Sequence, residues 1–268
     1  MLKKGNAGGV GYIAVALILG LGLLFGGCAG AMAGFQRSFQ AQRAYEAGLS
    51  QYKAKEFPAA VQAFRRAVEL DPRLDDAEAH LAWSYYHAGN YSMATKHFRQ
   101  TIARQPEWPG LYDGLGWSRY RLERYQLALE AFREAVAMDP AYRDAGVGLA
   151  YSLFMLERYQ EALPPLERLT REGEGNGLRS ASTDLEQVRS RFAWTLYYLG
   201  DYARAQEQFA RGISAQPDWA GLHNGLGWTL LKLGDRQSAR QHFQHALKLQ
   251  PELADAKEGL IQAEEAKL

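Results

Sequence analysis

Hydrophobic and polar positions divide the chain into two regimes. No charged residue stands between Lys4 and Arg37, and Tyr12 to Phe25 (YIAVALILGLGLLF) is almost continuously apolar. From Ala41 onward, apolar positions recur at helical spacing in pairs of amphipathic stretches. Short turns such as Ala88-Gly89-Asn90 and Leu199-Gly200-Asp201 split each pair. Aligning the chain on itself at a spacing of 34 gives starts at Ala41, Asp75, Pro109 and Arg143, then, after an interruption, at Glu186 and Ala220. A helix pair of that size cannot bury its apolar faces alone, so the pairs are expected to stack.

The second half of each period carries Ala60, Phe64, Ala67 and Pro72; Ala94, Phe98 and Pro106; Ala128, Phe132, Ala135 and Pro140; Ala205, Phe209 and Pro217; and Ala239, Phe243, Ala246 and Pro251. The fourth period keeps Ala162, has Leu166 and lacks the closing Pro. This pattern resembles the tetratricopeptide repeat (TPR) family. The resemblance implies an all-α, right-handed α-solenoid of six helix-turn-helix repeats, with first helices lining its concave side and a capping helix at the C-terminus. Gly48, Ala82, Gly116, Ala150, Ala193 and Gly227 share one repeat position, where close helix packing is the reason for a small residue.

The expected organisation is a signal peptide or anchor over 1–28, a tether over 29–40, repeats one to four over 41–176, a loop insertion over 177–185, repeats five and six over 186–253 and the cap over 254–268. The irregular stretch Arg171 to Thr183 reads as loop, and Thr183 with Glu186 as a capping box opening the next helix. All six tryptophans fall into two sets 111 residues apart: Trp83, Trp108 and Trp117, then Trp194, Trp219 and Trp228. A block of repeats is duplicated, and two similar surfaces are expected.

At the N-terminus, Leu24-Phe25-Gly26-Gly27-Cys28 resembles the lipobox of bacterial lipoproteins, with Phe25 where that family usually has Leu. The resemblance implies lipidation at Cys28 and an outer-membrane lipoprotein facing the periplasm. The alternative is an uncleaved inner-membrane anchor, since about 20 apolar residues span a bilayer. Lys3 and Lys4 would then stay inside, and Gly22, Gly26, Gly30 and Gly34 would form a small-residue seam.

Position nine of the first helices points away from the packing seam, and position twelve lies on the flank between. Position nine of the repeat holds Leu49, Trp83, Trp117, Tyr151, Trp194 and Trp228, and position twelve holds Tyr52, Tyr86, Tyr120, Phe154, Tyr197 and Leu231. Their aromatic members, Tyr52, Trp83, Tyr86, Trp117, Tyr120, Tyr151, Phe154, Trp194, Tyr197 and Trp228, are the candidate ligand site on the concave face. Gap-filling between first helices is the competing role for such rings. Chaperone-binding TPR domains carry a Lys, Asn and Arg clamp on this face, and tryptophan at position nine argues against one here.

Composition narrows the chemistry. With 31 Lys and Arg against 30 Asp and Glu there is no bulk field to draw nucleic acid. One cysteine excludes an intramolecular disulfide and a cysteine metal cage. His80, His87, His97, His223, His242 and His245 have no metalloprotease spacing, and neither a phosphate-binding loop nor a nucleophile elbow occurs. No cofactor, metal or enzymatic activity is expected. The reading is a non-catalytic cell-envelope scaffold that binds a peptide segment or partner protein in its groove, resembling the TPR lipoproteins that assist secretion or pilus machinery. A glycan-handling scaffold is the alternative, with Asp113 and Asn224 as polar groups beside the rings, and self-association stays open.

Overall fold

The computed structural model describes the backbone of residues 28–176, 179–180 and 183–265, and the side chains of 32–174 and 185–265. The apolar segment, the lipobox resemblance up to Gly27 and the last three residues lie outside the described residues. Among the described residues there are thirteen helices and one pair of two-residue strands, so the chain is all-α. No described helix is long and apolar enough to cross a membrane.

The first unit, Met1–Arg124, holds α1 (Cys28–Lys53), α2 (Phe57–Leu70), α3 (Asp75–His87), α4 (Tyr91–Ile102) and α5 (Pro109–Arg121). The second, Tyr125–Leu268, holds α6 (Tyr125–Met138), α7 (Arg143–Met155), α8 (Tyr159–Asn176), β1 (Arg179–Ser180), β2 (Thr183–Asp184), α9 (Leu185–Tyr198), α10 (Tyr202–Ala215), α11 (Ala220–Lys232), α12 (Arg236–Leu249) and α13 (Ala254–Glu264). The boundary falls inside the third repeat. Within each unit every helix packs on its sequence neighbour, and the first helices of successive repeats touch as well, α1 on α3, α3 on α5, α7 on α9, α9 on α11 and α11 on α13.

The core is a periodic seam. Phe64, Phe98, Phe132, Phe209 and Phe243 are fully buried, and Leu166 takes that place in the fourth repeat. A Cβ on Gly48 would come within 2.6 Å of the Phe64 ring, and one on Gly227 within 2.7 Å of Phe243, which is the close packing expected there. A second glycine position escaped the sequence reading: Gly114, Gly148, Gly225 and Gly259 each lie against the Phe of the preceding repeat, where a Cβ would overlap the ring. Two residues after the first small position, Ser84, Ser118, Ser152, Thr195 and Thr229 donate to the carbonyl four residues back, so these hydroxyls are buried without loss.

Three expectations need correction. The stretch read as a tether is helical, because α1 runs without a break from Cys28 to Lys53. No proline interrupts it, and extending a helix already nucleated by packing costs little. The stretch read as loop from Arg171 begins later, since α8 continues to Asn176. Where other repeats close with Pro, this one has Glu174, which leaves the helix ladder intact. The insertion that follows pairs Arg179 with Asp184 and Ser180 with Thr183 in an antiparallel ladder. Thr183 is therefore in a strand rather than a capping box, and Glu186 is buried and accepts from Arg189 instead.

Candidate functional site

The helix-pair turn places the candidate rings. Position fifteen of every repeat has positive φ: Lys55, Gly89, Glu123, Glu157, Gly200 and Gly234, at 61°, 80°, 59°, 58°, 82° and 86°. That left-handed residue ends the first helix and lets the second begin at once. Asn90, Asp201 and Asp235 then cap the second helix by accepting from Met93, Arg204 and Ser238 backbone N–H groups. Position twelve is thereby brought against the aromatic residue that opens the second helix. Tyr52 meets Phe57 at 5.5 Å, Tyr86 meets Tyr91 at 5.5 Å, Phe154 meets Tyr159 at 5.6 Å and Tyr197 meets Tyr202 at 5.5 Å, all edge-on.

The tryptophans of position nine are neither bare nor in the core. Trp83, Trp117, Trp194 and Trp228 are half-buried. Trp83 packs edge-on against Phe98, Trp194 against Phe209 and Trp228 against Phe243, at 5.1, 5.4 and 5.4 Å. Each also meets its own position-twelve ring where one exists: Trp83 with Tyr86, Trp117 with Tyr120 and Trp194 with Tyr197, at 5.7, 5.5 and 5.4 Å. Trp228 donates its indole N–H to Asp255 on α13 at 3.1 Å, and Asn224 donates to the same oxygen at 2.6 Å. That tryptophan ties down the last helix.

Tyr151 departs from the expected exposed track. It is buried, with the Arg191 guanidinium 3.7 Å above its ring, because the cation covers the face the repeat pattern leaves open. Burial pushes the Tyr52 and Tyr197 hydroxyls up to about 12, with Tyr202, Tyr198 and Asp255 adding to the effect at Tyr197. Tyr86, Tyr159 and Tyr198 are also raised by burial. These hydroxyls stay protonated and able to donate.

Two rings outside the sequence-predicted set organise the site. In the first unit His87 stacks with Phe57, at 4.8 Å and 21°, and with Trp83, at 6.0 Å and 27°. In the second unit Tyr198, itself exposed, stacks with Tyr159, at 4.6 Å and 16°, and with Trp194, at 5.9 Å and 27°. Each stack joins a second-helix ring of one repeat to the first helix of the next. The recurrence of Phe57, Tyr91, Tyr125 and Tyr159 at a spacing of 34, with Tyr202 at the same repeat position after the insertion, is the signal for the second-helix rings. Position thirteen gave none, since it also holds Lys53, Arg121, Met155 and Lys232.

Other polar groups pair within repeats and between neighbouring ones. Glu78 accepts from His97 at 2.8 Å, and the His223 and His242 Nδ1 atoms are 3.1 Å apart while His223 Nε2 donates to the Pro217 carbonyl. Burial pushes both members of that histidine pair below the usual imidazole range. Among the described residues no group of three or more His, Cys, Asp or Glu is placed to hold a metal ion.

The comparisons with known proteins agree with the repeat fold. Among solved structures the chain is similar to YrrB, described as a TPR protein with an unusual peptide-binding site: 22% identity, TM-score 0.62, 74% of this chain and 97% of that one. It is also similar to PilF of Pseudomonas aeruginosa, at 19% identity and TM-score 0.66 over 86% of this chain and 100% of that one. MamA of Desulfovibrio magneticus RS-1 follows at 16% and 0.59, over 67% and 97%. Likeness at these identities concerns the fold alone. No curated protein matches the chain. The pattern of the tetratricopeptide repeat family matches residues 45–109, 114–177, 190–254 and 224–267, most of the sequence. The chain therefore belongs to the tetratricopeptide repeat family, whose members are protein-interaction scaffolds and generally not catalysts.

Proposed function

We propose that the chain is a membrane-anchored scaffold of the bacterial cell envelope that holds an extended segment of a partner protein against its aromatic first-helix surface, in the assembly of a secretion or surface machinery. The observation that carries the binding reading is the recurrence, in both units, of a ring stack flanked by half-buried tryptophan and tyrosines whose hydroxyls can donate. Such a surface offers apolar slots for side chains and donors for main-chain carbonyls. The peptide-binding site described for YrrB supports the same reading. Anchoring rests on the apolar run ahead of Cys28 and the lipobox resemblance.

Photocrosslinking tests this in native membranes, with p-benzoylphenylalanine in place of Tyr198. Discrete adducts to a second protein, lost on adding Trp194→Ala, are expected. Adducts confined to saccharide, or none above the unsubstituted chain, would remove the peptide reading. Mass measurement of the mature chain beside Cys28→Ala decides between acylation at Cys28 and an intact apolar N-terminus.

A further inference from the structure

Beyond α1, the large apolar side chains most exposed to water stand singly along the sequence, as Leu127 and Met138 at opposite ends of α6 illustrate. Three fall within eight residues of α1: Met32, Phe35 and Phe39 are 45%, 46% and 54% exposed. Here α1 has left the stack. Every side chain from Met32 to Gln40 is exposed, and burial resumes at Ala41. Successive helical residues turn by about 100°, so the three share an arc of about 60° while Arg37 falls on the opposite side. The same register passes through the backbone position of Cys28, and Arg43 stands one turn beyond Phe39 at the edge of the stripe.

We propose that the Cys28–Gln40 part of α1 lies in the plane of a lipid surface, with Met32, Phe35 and Phe39 sunk at the headgroup boundary and Arg37 in water. The inference rests on the anchoring reading above. What covers the stripe is given by what precedes it. The run Tyr12 to Phe25 ends three residues before α1, and Met32 is only about 6 Å along the helix axis from Cys28. The stripe starts at the point of attachment under either form of anchor. Arg43, on its long stem, reaches the phosphate layer from the rim of the apolar face. A second copy is the weaker occupant: three apolar positions over two turns fall short of the roughly three to four heptads that sustain a coiled coil. Because α1 is one helix through Lys53, its in-plane placement lays the first helix of repeat one parallel to the bilayer.

The test uses the full chain in vesicles of phosphatidylethanolamine and phosphatidylglycerol. Spin labels are placed one at a time through Met32→Cys, Phe35→Cys, Arg37→Cys and Phe39→Cys, and the unsubstituted chain gives any contribution from Cys28. Oxygen collisions should dominate at positions 32, 35 and 39, and collisions with a water-soluble nickel complex at 37. Equal access of the nickel complex to all four positions would overturn the proposal while leaving the anchor intact. Exclusion of both reagents from the stripe would also overturn it, in favour of a contact between copies. A chain that does not float with the vesicles would overturn the anchoring reading, and this proposal with it.

Discussion

The two ring stacks occupy the same repeat positions, yet their middle rings differ. Trp83 and His87 in the first unit stand 111 residues before Trp194 and Tyr198 in the second, while Phe57 stands only 102 residues before Tyr159. The nine-residue difference is the insertion after α8, which lies between the two partners of the second stack and not of the first. Despite it, the second-helix ring meets the middle ring at 4.6 Å, against 4.8 Å without the insertion. Helix packing, rather than chain connection, thus sets where the outer rings go. The middle position has been free to change from an imidazole to a phenol.

The strongest way to break this comparison is to remove the outer tryptophans. Trp83→Ala and Trp194→Ala each delete a stacking face and an edge contact to a fully buried Phe. Each is expected to cost about 3 kcal/mol, at the low end for a core aromatic because the ring is half-buried. Urea unfolding followed by hydrogen exchange at α3 and α9 should give losses within about 0.5 kcal/mol of each other. A much smaller loss at Trp194 would mean that the insertion has loosened the second stack.

Next in size is the polar pair that links first and second helices at a shared repeat position. The first unit uses Glu78 and His97, whereas the second uses Arg189 with Gln208. Arg189 is buried, and also donates to Glu186 at 2.9 Å and Glu174 at 2.8 Å. Hydrogen bonding from Arg189 holds the Glu174 carboxyl below the usual carboxylate range. Glu186→Gln leaves that guanidinium with one carboxylate and should cost about 2 kcal/mol. Glu78→Gln keeps an acceptor for His97 and should cost less than about 1 kcal/mol. Equal losses in denaturant titrations would show that the arginine clamp adds nothing to the pair.

The period, the buried Phe seam and the small residue facing it were legible because the small residue is written six times and the Phe five, with Leu166 in the fourth repeat, at a spacing broken only by the insertion. What was not legible is written once or twice. His87 and Tyr198 belong to a position that elsewhere holds Lys53 and Arg121, so no recurrence marked them as ring-stacking sites. The end of α8 was placed too early because Arg171 to Asn176 lacks apolar periodicity, although a helix held at both ends by packing and by Glu174 ion pairs does not need it. Tyr151 shares the sequence pattern of its position-nine counterparts, but Arg191 covers it. That cover depends on the neighbouring repeat and leaves no trace in the residue's own pattern.

The turns give a smaller, internal comparison, since each unit contains both a glycine and a glutamate in the left-handed conformation. A side chain there costs about 1 kcal/mol or more. Gly89→Ala and Gly200→Ala should therefore destabilise by about 1 kcal/mol, while Glu123→Gly and Glu157→Gly should stabilise by somewhat less, because glycine also frees the unfolded chain. Thermal unfolding of the four variants checks the sign. A loss on Glu157→Gly would show that the carboxylate makes a contact worth more than the backbone strain.

Exchanging the middle rings has the smallest expected effect and bears most directly on the stacks. Burial between Phe57 and Trp83 holds the His87 imidazole below the usual range. A histidine depressed in the folded state favours folding while it is neutral. Its contribution is present above the unfolded value of about 6.5 and is lost as pH falls through the lower folded value. The ring edge is open to water, so the loss is heavily screened, and attraction of a protonated ring to Trp83 offsets part of it. His80, His223 and His242 are lowered by burial too, so only differences between variants carry the comparison. From about pH 7.5 to about pH 5, His87→Tyr should lose less melting temperature than the natural chain and Tyr198→His should lose more. If both variants instead track the natural chain, the stacks hold their middle rings by shape alone, and the exchange of imidazole for phenol between the two blocks has no electrostatic consequence.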